Sequence, residues 1–549
     1  MSHGKKSVEI ELKLLLPTAE AESTIVTFLR DHGYRVEEIP PVHNVDTYLD
    51  TFEWSLMKNK LALRYRVSDG MAMYTLKSLG SIRGGIAKRM ETEVPLKEPV
   101  AIPSAVPVKR VRRDIEALIY PRKLLEQLQI RTDRRRYRVV SPEEAKIELA
   151  FDISSFSLRG LHKGRRTQRL HELEAEILDG PATALGSLAA LFSQAFAYRT
   201  SSASKFEVAI ERLKVAMPSK KPPEKLKVHL EDRLDLALRK ILTYQLQRFR
   251  EQLPGVHGDI DTEFVHQARV ATRRMRSALR LLRDAVPGNT GAYLAGELKW
   301  LGGMFGPVRD LDVFLLNVSR FQGQIKHFPG KKKKALEDWI EEQRRAPLKA
   351  LQAALESPRY KTFERRLGGF LEKPLPARPR APLAVKPVGD IAPAAIQEKW
   401  AAVLTQGNKV LAKPTLKRFH RLRVQMKKLR YATEFMGPAY DGTLAPFIDR
   451  TVEIQNCLGE LQDTVFTSGF IQDLLDHWKG KLVDPDLIFI FGEVYQLQGE
   501  IARQRQEMFS KIWERFSSEE TIRLLKEILM APSHSRAAKT FSSLPSFTR

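Results

Sequence analysis

Carboxylates and cations alternate with apolar residues at the start of the chain. In the segment 8–14 (VEIELKL), an extended backbone would place Glu9, Glu11 and Lys13 on one face and the apolar residues on the other. Paired carboxylates bind hard divalent cations through their oxygens, and lysine and arginine bind phosphate oxygens. Both kinds of side chain on one surface would therefore suit a complex between a metal ion and a triphosphate.

The same alternation recurs in later segments, each with charges of mainly one sign. Cations dominate 63–67 (LRYRV) and 134–138 (RRRYR), whereas carboxylates dominate 91–94 (ETEV), 147–153 (IELAFDI) and 171–177 (HELEAEI). A single antiparallel strand commonly turns its polar face to water. Like charges side by side on a strand repel one another unless something neutralises them. So many charged faces favour a closed sheet in which these side chains point inward.

A second pattern is a cationic helical stripe that occurs twice in the later part of the chain. The segment 266–276 (HQARVATRRMR) is echoed by 420–430 (HRLRVQMKKLR). Steps of three and four residues place the repeated cations on one helix face. They are His266, Arg269, Arg273 and Arg276 in the first copy and His420, Arg423, Lys427 and Arg430 in the second. With the adjacent Arg274 and Lys428, they predict an extended polyanion as partner.

The elements that position these residues divide the chain into a strand-rich half and a helical half. Apolar seams at 265–282 and 419–436 predict that each cationic helix packs in a bundle. We therefore predict an α+β multidomain protein, with an N-terminal closed antiparallel β-barrel followed by an all-α domain of two duplicated helical bundles. The expected divisions are 1–215 for the barrel, 216–225 for a linker, 226–373 for the first bundle, 374–393 for a proline-rich connector, 394–531 for the second bundle and 532–549 for a disordered tail.

The composition restricts the partners further. Among 549 residues, 91 Lys and Arg against 66 Asp and Glu give a net charge of +25, which favours an anionic partner. The single Cys457 excludes an intrachain disulfide and a cysteine-based zinc cluster, and fits a reducing compartment. We expect no signal peptide, and no apolar run approaches the roughly 20 residues that span a bilayer. The expected location is the cytoplasm, without a membrane partner.

The strand-rich half resembles the CYTH, or triphosphate tunnel metalloenzyme, family. The motif ExExK stands at Glu9, Glu11 and Lys13, and the later motifs follow in order. They are 63–66 (LRYR), 75–77 (TLK), 91–93 (ETE), 132–133 (TD) followed by Arg136, 148–152 (ELAFD), 172–176 (ELEAE) and 204–207 (SKFE). The resemblance implies a closed eight-stranded antiparallel barrel with a hydrophilic tunnel, and hydrolysis of a triphosphate with Mg²⁺ or Mn²⁺.

The resemblance also implies roles for particular residues. Metal ligands would be Glu9, Glu11, Glu174 and Glu176, and triphosphate would be bound by Lys13, Arg64, Arg66, Lys77, Arg136 and Lys205. Glu148 and Asp152 would line the tunnel, as metal ligands or by orienting water, and complete a catalytic set with Glu9, Glu11 and Lys13. The register of 131–138 stays open, because a slip of one residue exchanges Arg134, Arg136 and Arg138 for Arg135.

The helical half resembles the CHAD domain, a module associated with binding inorganic polyphosphate. The resemblance extends over about 300 residues and includes both copies of the stripe. The whole chain resembles bacterial CYTH–CHAD inorganic triphosphatases. We therefore expect hydrolysis of inorganic tripolyphosphate by the barrel, binding of long-chain polyphosphate by the helices, and association with polyphosphate granules.

Three alternatives remain open at this stage. The chain could be a non-catalytic or weakly catalytic polyphosphate-binding protein. It could be a nucleotide or thiamine triphosphatase or an adenylate cyclase-like enzyme, which would need a pocket for an organic group. Nucleic-acid binding is suggested by charge alone and is disfavoured, because no aromatic residues are interleaved with the stripe as a stacking platform would require.

Overall fold

The computed structural model describes residues 5–79, 82–83, 86–96, 109–120, 122–159, 168–181, 183–196, 198–201, 203–215, 225–324, 330–478 and 485–530. The chain forms two compact units, Met1–Pro223 and Glu224–Arg549. The first is built on an antiparallel sheet and the second is helical, which confirms the predicted α+β class. The predicted tail and all but the last residue of the predicted linker lie outside the described residues.

The described strands of the first unit belong to one antiparallel sheet of ten strands. They are β1 (Lys5–Leu15), β2 (Arg35–Asp50), β3 (Leu61–Ser68), β4 (Met71–Ser78), β5 (Ile82–Arg83), β6 (Ile86–Leu96), β7 (Leu125–Val140), β8 (Lys146–Leu158), β9 (Gln168–Asp179) and β10 (Arg199–Thr200). Their order is β10-β1-β9-β8-β7-β2-β3-β4-β6-β5. Strand β1 pairs with β9 and β10 and also, over Lys5–Leu12, with β6.

The alternation in the sequence becomes an alternation between two environments. Leu12 and Leu14 of β1 and Leu173 of β9 are buried in an apolar cluster with residues of the helices α1 (Ala21–Asp31) and α4 (Thr183–Ala195). Burying each such leucine stabilises the fold by about 1.5–3 kcal/mol. The intervening charged residues therefore point to the opposite face of the sheet. The first unit also contains α2 (Ser55–Lys58), α3 (Lys109–Ile119) and α5 (Lys205–Arg212).

The register of β7 decides between the two sets of arginines in its basic run. Arg134 lies opposite Asp152, and Arg138 lies opposite Glu148 on β8. Arg134, Arg136 and Arg138 therefore share the charged face. Arg135 points to the other side, where its guanidinium lies 3.4 Å from the Glu22 carboxylate of α1.

The second unit is built of helices, with two short 3₁₀ turns among its described residues. The helices are α6 (Leu234–His257), α7 (Thr262–Leu281), α8 (Gly288–Gln324), α9 (Gly330–Glu356), α10 (Pro358–Glu372), α11 (Val388–Ala412), α12 (Leu416–Met436), α13 (Ala445–Trp478), α14 (Pro485–Phe516) and α15 (Glu519–Met530). No described helix has an apolar stretch long enough to cross a bilayer. The buried Cys457 of α13 directs its Sγ to the Arg505 carbonyl oxygen at 3.5 Å.

The predicted proline-rich connector is too long at its C-terminal end. Helix α11 begins at Val388, so residues 388–393 are helical and Pro393 lies inside the helix. Because a proline removes only its own backbone donor, the helix continues past it with one hydrogen bond fewer. The irregular segment ends at Pro387, which is the N-cap of α11.

Local caps fix the starts of the two cationic helices. The Asp261 side chain accepts hydrogen bonds from the backbone N–H groups of Glu263 and Phe264 at the start of α7. Thr415 caps α12 in the same way through the Arg418 N–H. Each such cap stabilises a helix by about 1 kcal/mol. The apolar seams lie in the interior, as Met275 and Met426 show by being fully buried.

Candidate functional site

A cluster of buried charges lies on the charged face of the sheet, around Lys13 of β1. The Lys13 Nζ is 3.1 Å from the Glu11 Oε1 and 2.5 Å from the Glu174 Oε1 of the neighbouring β9. Lys205, the first residue of α5, places its Nζ 2.6 Å from both Asp152 Oδ2 and Glu174 Oε1. Three strands and one helix thus bring five predicted site residues together.

Helix α5 is held by a capping box that fixes where Lys205 can reach. The Ser204 Oγ accepts a hydrogen bond from the Glu207 N–H, and the Glu207 carboxylate accepts one from the Ser204 N–H. The next residue, Phe206, is buried and stacks on Tyr48 with ring centroids 4.6 Å apart. Cap and stack together orient the helix end so that the Lys205 ammonium enters the carboxylate cluster.

Arg134 belongs to this cluster although the sequence analysis did not select it. Its Nε and Nη2 donate to the two Asp152 carboxylate oxygens at 2.8 and 2.7 Å, and its guanidinium also contacts Glu174. The selected Arg136 lies one pleat further along, where it donates to the Pro40 carbonyl oxygen at 3.0 Å and stays 3.9 Å from Glu148. The signal for Arg134 is its alternation with Arg136, which puts both on one face, but the sequence alone does not show which of them lies opposite Asp152.

Glu172 is a second residue that the sequence analysis missed. Its side chain is fully buried, and neither carboxylate oxygen has a hydrogen-bond partner among the described residues. The nearest cation is the Lys205 ammonium, 3.5 Å away. A buried carboxylate with so little compensation is costly. An additional cation beside it would remove that cost, so the carboxylates here fit a divalent metal ion.

The pKa directions follow from this crowding. Burial acts to lower the pKa of Lys13, but the Glu174 and Glu11 carboxylates outweigh it and leave the pKa raised. Burial acts to raise the pKa of Glu174, yet Lys13, Lys205 and Arg134 hold it well below the usual range. For Glu172 burial prevails, and its pKa is raised. The cluster thus keeps its cations charged and leaves one carboxylate poorly stabilised.

A second charged group lies on β2, β3 and β4. Arg66 forms a two-point ion pair with the buried Asp46, at 2.6 and 2.7 Å. Arg64 donates to the Thr75 Oγ1 at 3.2 Å and lies 3.9 Å from Asp46. Burial acts to raise the pKa of Asp46, but Arg66 and Arg64 outweigh it and lower the pKa. The sequence predicts both arginines as site residues, but not Asp46.

The structure brings only some of the predicted metal ligands close to one another. Glu11 and Glu174 share the Lys13 ammonium, whereas Glu176 is exposed and lies opposite Glu11 and Glu148 in the strand register. The side chain of Glu9 lies outside the described residues, although its backbone is in β1. Within the described side chains, no group of three or more Asp, Glu, His or Cys residues forms a ready-made metal cage. Lysine and arginine neutralise Glu11 and Glu174 instead.

The two cationic stripes of the second unit lie close to each other. The Arg273 guanidinium carbon of α7 is 6.0 Å from the ring centroid of Tyr431 on α12. Burial, followed by Arg423, Arg273 and Arg269, lowers the pKa of Lys427 to about 7. The arginines that add to the effect of burial come from both α7 and α12, so cations from both copies lie near one another. The duplicated sequence motif therefore produces one group of neighbouring cations, Arg269, Arg273, Arg423 and Lys427, which we call the basic cleft.

The other stripe residues differ in how they relate to this basic cleft. Burial, followed by Arg309, Arg273 and Arg269, lowers the pKa of His266 to about 4. Burial is also the main cause of the lowered pKa of Arg276. The His420 Nδ1 lies 2.8 Å from the Gln462 Oε1, and Lys428 is exposed. Arg274 and Arg430 differ most, because each forms an ion pair with Glu434.

Two carboxylates, Asp310 and Asp463, lie at the edge of the basic cleft. Asp310 of α8 lies near Arg269, and Asp463 of α13 lies near Arg423. Burial raises the pKa of each carboxyl group, and the neighbouring arginine opposes that rise. Asp310 and Asp463 each compensate one arginine of the basic cleft. They do not neutralise the whole cleft, since the positive charges of Arg273 and Lys427 remain.

Comparison with known proteins assigns both units. Residues 7–210 match the CYTH domain family, and residues 240–472 match the CHAD domain family. The chain carries a CYTH domain followed by a CHAD domain. The two suspected resemblances are thereby confirmed. The charged cluster around Lys13 lies in the CYTH domain, and the basic cleft lies in the CHAD domain.

The chain is similar to other proteins over different shares of its length. Two uncharacterized proteins of Mycobacterium tuberculosis, from strains CDC 1551 / Oshkosh and ATCC 25618 / H37Rv, are each 23% identical over 496 residues, covering 86% of this chain and 90% of theirs. The CHAD domain of Ricinus communis is 23% identical, with a TM-score of 0.42 over 52% of this chain and 96% of its own. A Hippeastrum protein, described as a candidate adenylyl cyclase with a dominant triphosphatase activity, is 23% identical, with a TM-score of 0.29 over 37% of this chain and 96% of its own.

Proposed function

We propose that the CYTH domain hydrolyses inorganic tripolyphosphate with the help of a divalent metal ion, and that the CHAD domain binds polyphosphate. The observation that carries the first part is the convergence of Lys13, Lys205 and Arg134 on buried carboxylates. Such a site offers cations to phosphate oxygens and carboxylates to a metal. The CYTH family assignment supports a triphosphatase.

A closed tunnel is part of this proposal. Strand β1 pairs with β9 on one side and, over part of its length, with β6 on the other, and both partners carry carboxylates in register with it. These pairings support a barrel whose charged faces look inward. Inside it, water is scarce and the electrostatic stabilisation of a phosphate is stronger than in bulk solvent.

The chemistry would be in-line attack of water on a phosphorus atom. A bound Mg²⁺ or Mn²⁺, held by Glu11, Glu174 and Glu176 with Glu9, would supply charge neutralisation on the phosphate oxygens. Lys13, Lys205 and Arg134 would exchange carboxylate partners for phosphate oxygens as the substrate enters. Arg64, Arg66 and Lys77 would bind the far end of the triphosphate, with Arg136 and Glu148 beyond the cluster.

The described residues favour a substrate without an organic group at one end. A cavity of about 20 Å³ lies beside Arg64 and Lys77 and is bordered by Tyr48 and Phe206. That space accommodates about one water molecule and no base or thiazolium ring. Among the described residues, this cavity therefore offers no pocket for the organic group of ATP or thiamine triphosphate, and we take tripolyphosphate as the substrate to be tested.

For the CHAD domain, the basic cleft supports polyphosphate as ligand. Polyphosphate carries a charge on every phosphate, and several lysine and arginine contacts bind such a chain by counterion release. The two sequence copies each supply cations to the cleft, as expected for two duplicated helical bundles. This arrangement is suited to a long anion that passes both copies.

The test is phosphate release by the purified full chain. Tripolyphosphate, ATP and thiamine triphosphate are compared with Mg²⁺, with Mn²⁺ and with excess chelator. We expect metal-dependent release that is fastest with tripolyphosphate. No release with either metal, together with retained polyphosphate binding, would favour a pure binding protein. Faster release from a nucleotide would contradict the assigned substrate.

A further inference from the structure

The CHAD domain contains a cleft of about 340 Å³ that the proposed function does not use. It lies between α6, α7, α12 and the start of α13, and its lining includes Gln245, Arg274, Glu434, Leu444 and Ile448. Its size falls within the range of small-molecule sites. The cleft extends from the exposed Ala445 to the buried Gln245, so a ligand has an entrance and an interior to occupy.

A buried amide lies in this cleft. Gln245 of α6 is 2% exposed, and its side chain lines the cleft. A glutamine amide presents a donor and an acceptor side by side. A ligand that offers one acceptor and one donor side by side would be complementary to it. The edge of a nucleobase has this pattern.

The charges at the cleft favour an anion. The single Glu434 carboxylate accepts from the Arg274 Nη2 at 2.6 Å and from the Arg430 Nε at 2.5 Å. Two guanidinium groups on one carboxylate leave one positive charge uncompensated. The Arg274 Nε is buried and has no hydrogen-bond partner among the described residues. A phosphate monoester would supply both the charge and the acceptor.

The remaining walls are apolar, with Leu444 fully buried and Ile448 beside it. An apolar wall, a buried amide and a guanidinium with spare charge are complementary to different parts of one molecule. We propose that this cleft binds a nucleoside phosphate, with the base between the apolar wall and Gln245 and the phosphate at Arg274. The site is separate from the charged cluster of the CYTH domain and does not depend on the proposed hydrolysis.

The probe for this site is AMP, whose single phosphate is too short for the triphosphate site. Its binding to the full chain is measured by calorimetry in the presence of chelator, and is compared with adenosine and inorganic phosphate. We expect saturable binding of AMP and at least roughly ten-fold weaker binding of either fragment, because each makes only part of the contacts. Absence of saturable AMP binding would overturn the proposal.

Variants then locate the site. Ala445→Trp fills the entrance, and we expect it to abolish AMP binding, whereas Asp449→Trp places the same side chain at an exposed position outside the lining and should leave binding intact. Gln245→Leu, of similar volume, should weaken AMP about ten-fold without affecting phosphate. Equal AMP affinity in Ala445→Trp and Asp449→Trp would place the nucleotide elsewhere. Loss of AMP binding in Lys13→Ala would likewise contradict the proposal.

Discussion

At the scale of single residues, both domains concentrate cations and differ in how these are compensated. Lys13 and Lys205 are buried among carboxylates that keep them charged. Lys427 is surrounded mainly by arginines, and its pKa is lowered. Under the proposed function, the first arrangement would bind an anion by exchanging carboxylates for phosphate oxygens, whereas in the second an anion would relieve the repulsion among the cations.

Arg134→Ala should remove most of the triphosphatase activity. Its guanidinium holds Asp152 and Glu174, and loss of one preorganised electrostatic contact typically lowers kcat by about 10²–10³. Removing a buried ion partner also destabilises the fold, by about 3–5 kcal/mol. Both kcat and the urea midpoint are therefore measured. Arg135→Ala, on the opposite face of β7, is the matched control and should leave kcat unchanged.

Polyphosphate binding should weaken as the pH rises through about 7, where Lys427 loses its proton. The sign follows from the charge: burial and the neighbouring arginines favour the neutral amine, whereas a polyanion favours the ammonium. We expect affinity to fall roughly ten-fold between about pH 6 and pH 8, as for loss of one charge-assisted contact. Titrations at constant ionic strength test this. Lys427→Arg should bind at both pH values, and an equal pH dependence in that variant would exclude Lys427 as its source.

At the scale of elements, the charged cluster depends on strands and on one short helix. The strands place their side chains by alternation, which the sequence displays directly. Helix α5 is only eight residues long and relies on its capping box and on the Phe206–Tyr48 stack. Because so short a helix is marginal by itself, its ends determine where Lys205 lies.

Ser204→Ala should therefore lower the activity by changing the position of the Lys205 side chain. Loss of the cap should lower the free energy of unfolding by about 0.5–2 kcal/mol, because the Glu207 N–H loses its acceptor. We expect a several-fold lower kcat with tripolyphosphate, since the Lys205 ammonium becomes less well ordered. Ser204→Asp, which can also cap a helix, should restore most of the free energy of unfolding and most of the kcat. A normal kcat in a Ser204→Ala variant of lowered stability would show that the cap does not position Lys205 for hydrolysis.

The sequence predicted the strand faces and the helical stripes well, because both follow from fixed periods. It did not point to Arg134, since alternation puts Arg134 and Arg136 on the same face and only the pairing of β7 with β8 shows that Arg134 lies opposite Asp152. It also missed Asp46, whose importance depends on Arg66 from a different strand. The meeting of the two stripes could not be predicted either, because it depends on the packing of α7 against α12. Contacts between distant segments, unlike periodicity, are not visible along the chain.

At the scale of the whole molecule, a net charge of +25 is distributed over a protein with two proposed anion sites. Long-range attraction would concentrate polyanions near either domain and would be screened by salt. The salt dependence of binding therefore reports how many cations contact the anion.

The variant Arg269→Ala combined with Arg423→Ala removes one arginine from each stripe of the basic cleft. We expect weaker polyphosphate binding and a salt slope reduced by about 2, since each phosphate contact contributes roughly 0.9. Tripolyphosphate hydrolysis should stay near the wild-type rate. Fluorescence anisotropy at several salt concentrations measures the slope. An unchanged slope would show that the stripes are only solvated surface.

The buried Cys457 makes these measurements easier than they would be in most proteins of this size. It is the only cysteine of the chain, and burial raises the pKa of its thiol to about 11. Maleimide reagents attack thiolates, so the native protein should remain almost unlabelled at neutral pH. Cysteines introduced on the surfaces of α7 and α12 could then carry a dye pair, and Cys457 would not have to be replaced first. Energy transfer between the dyes would report whether the two helices move when a polyanion binds.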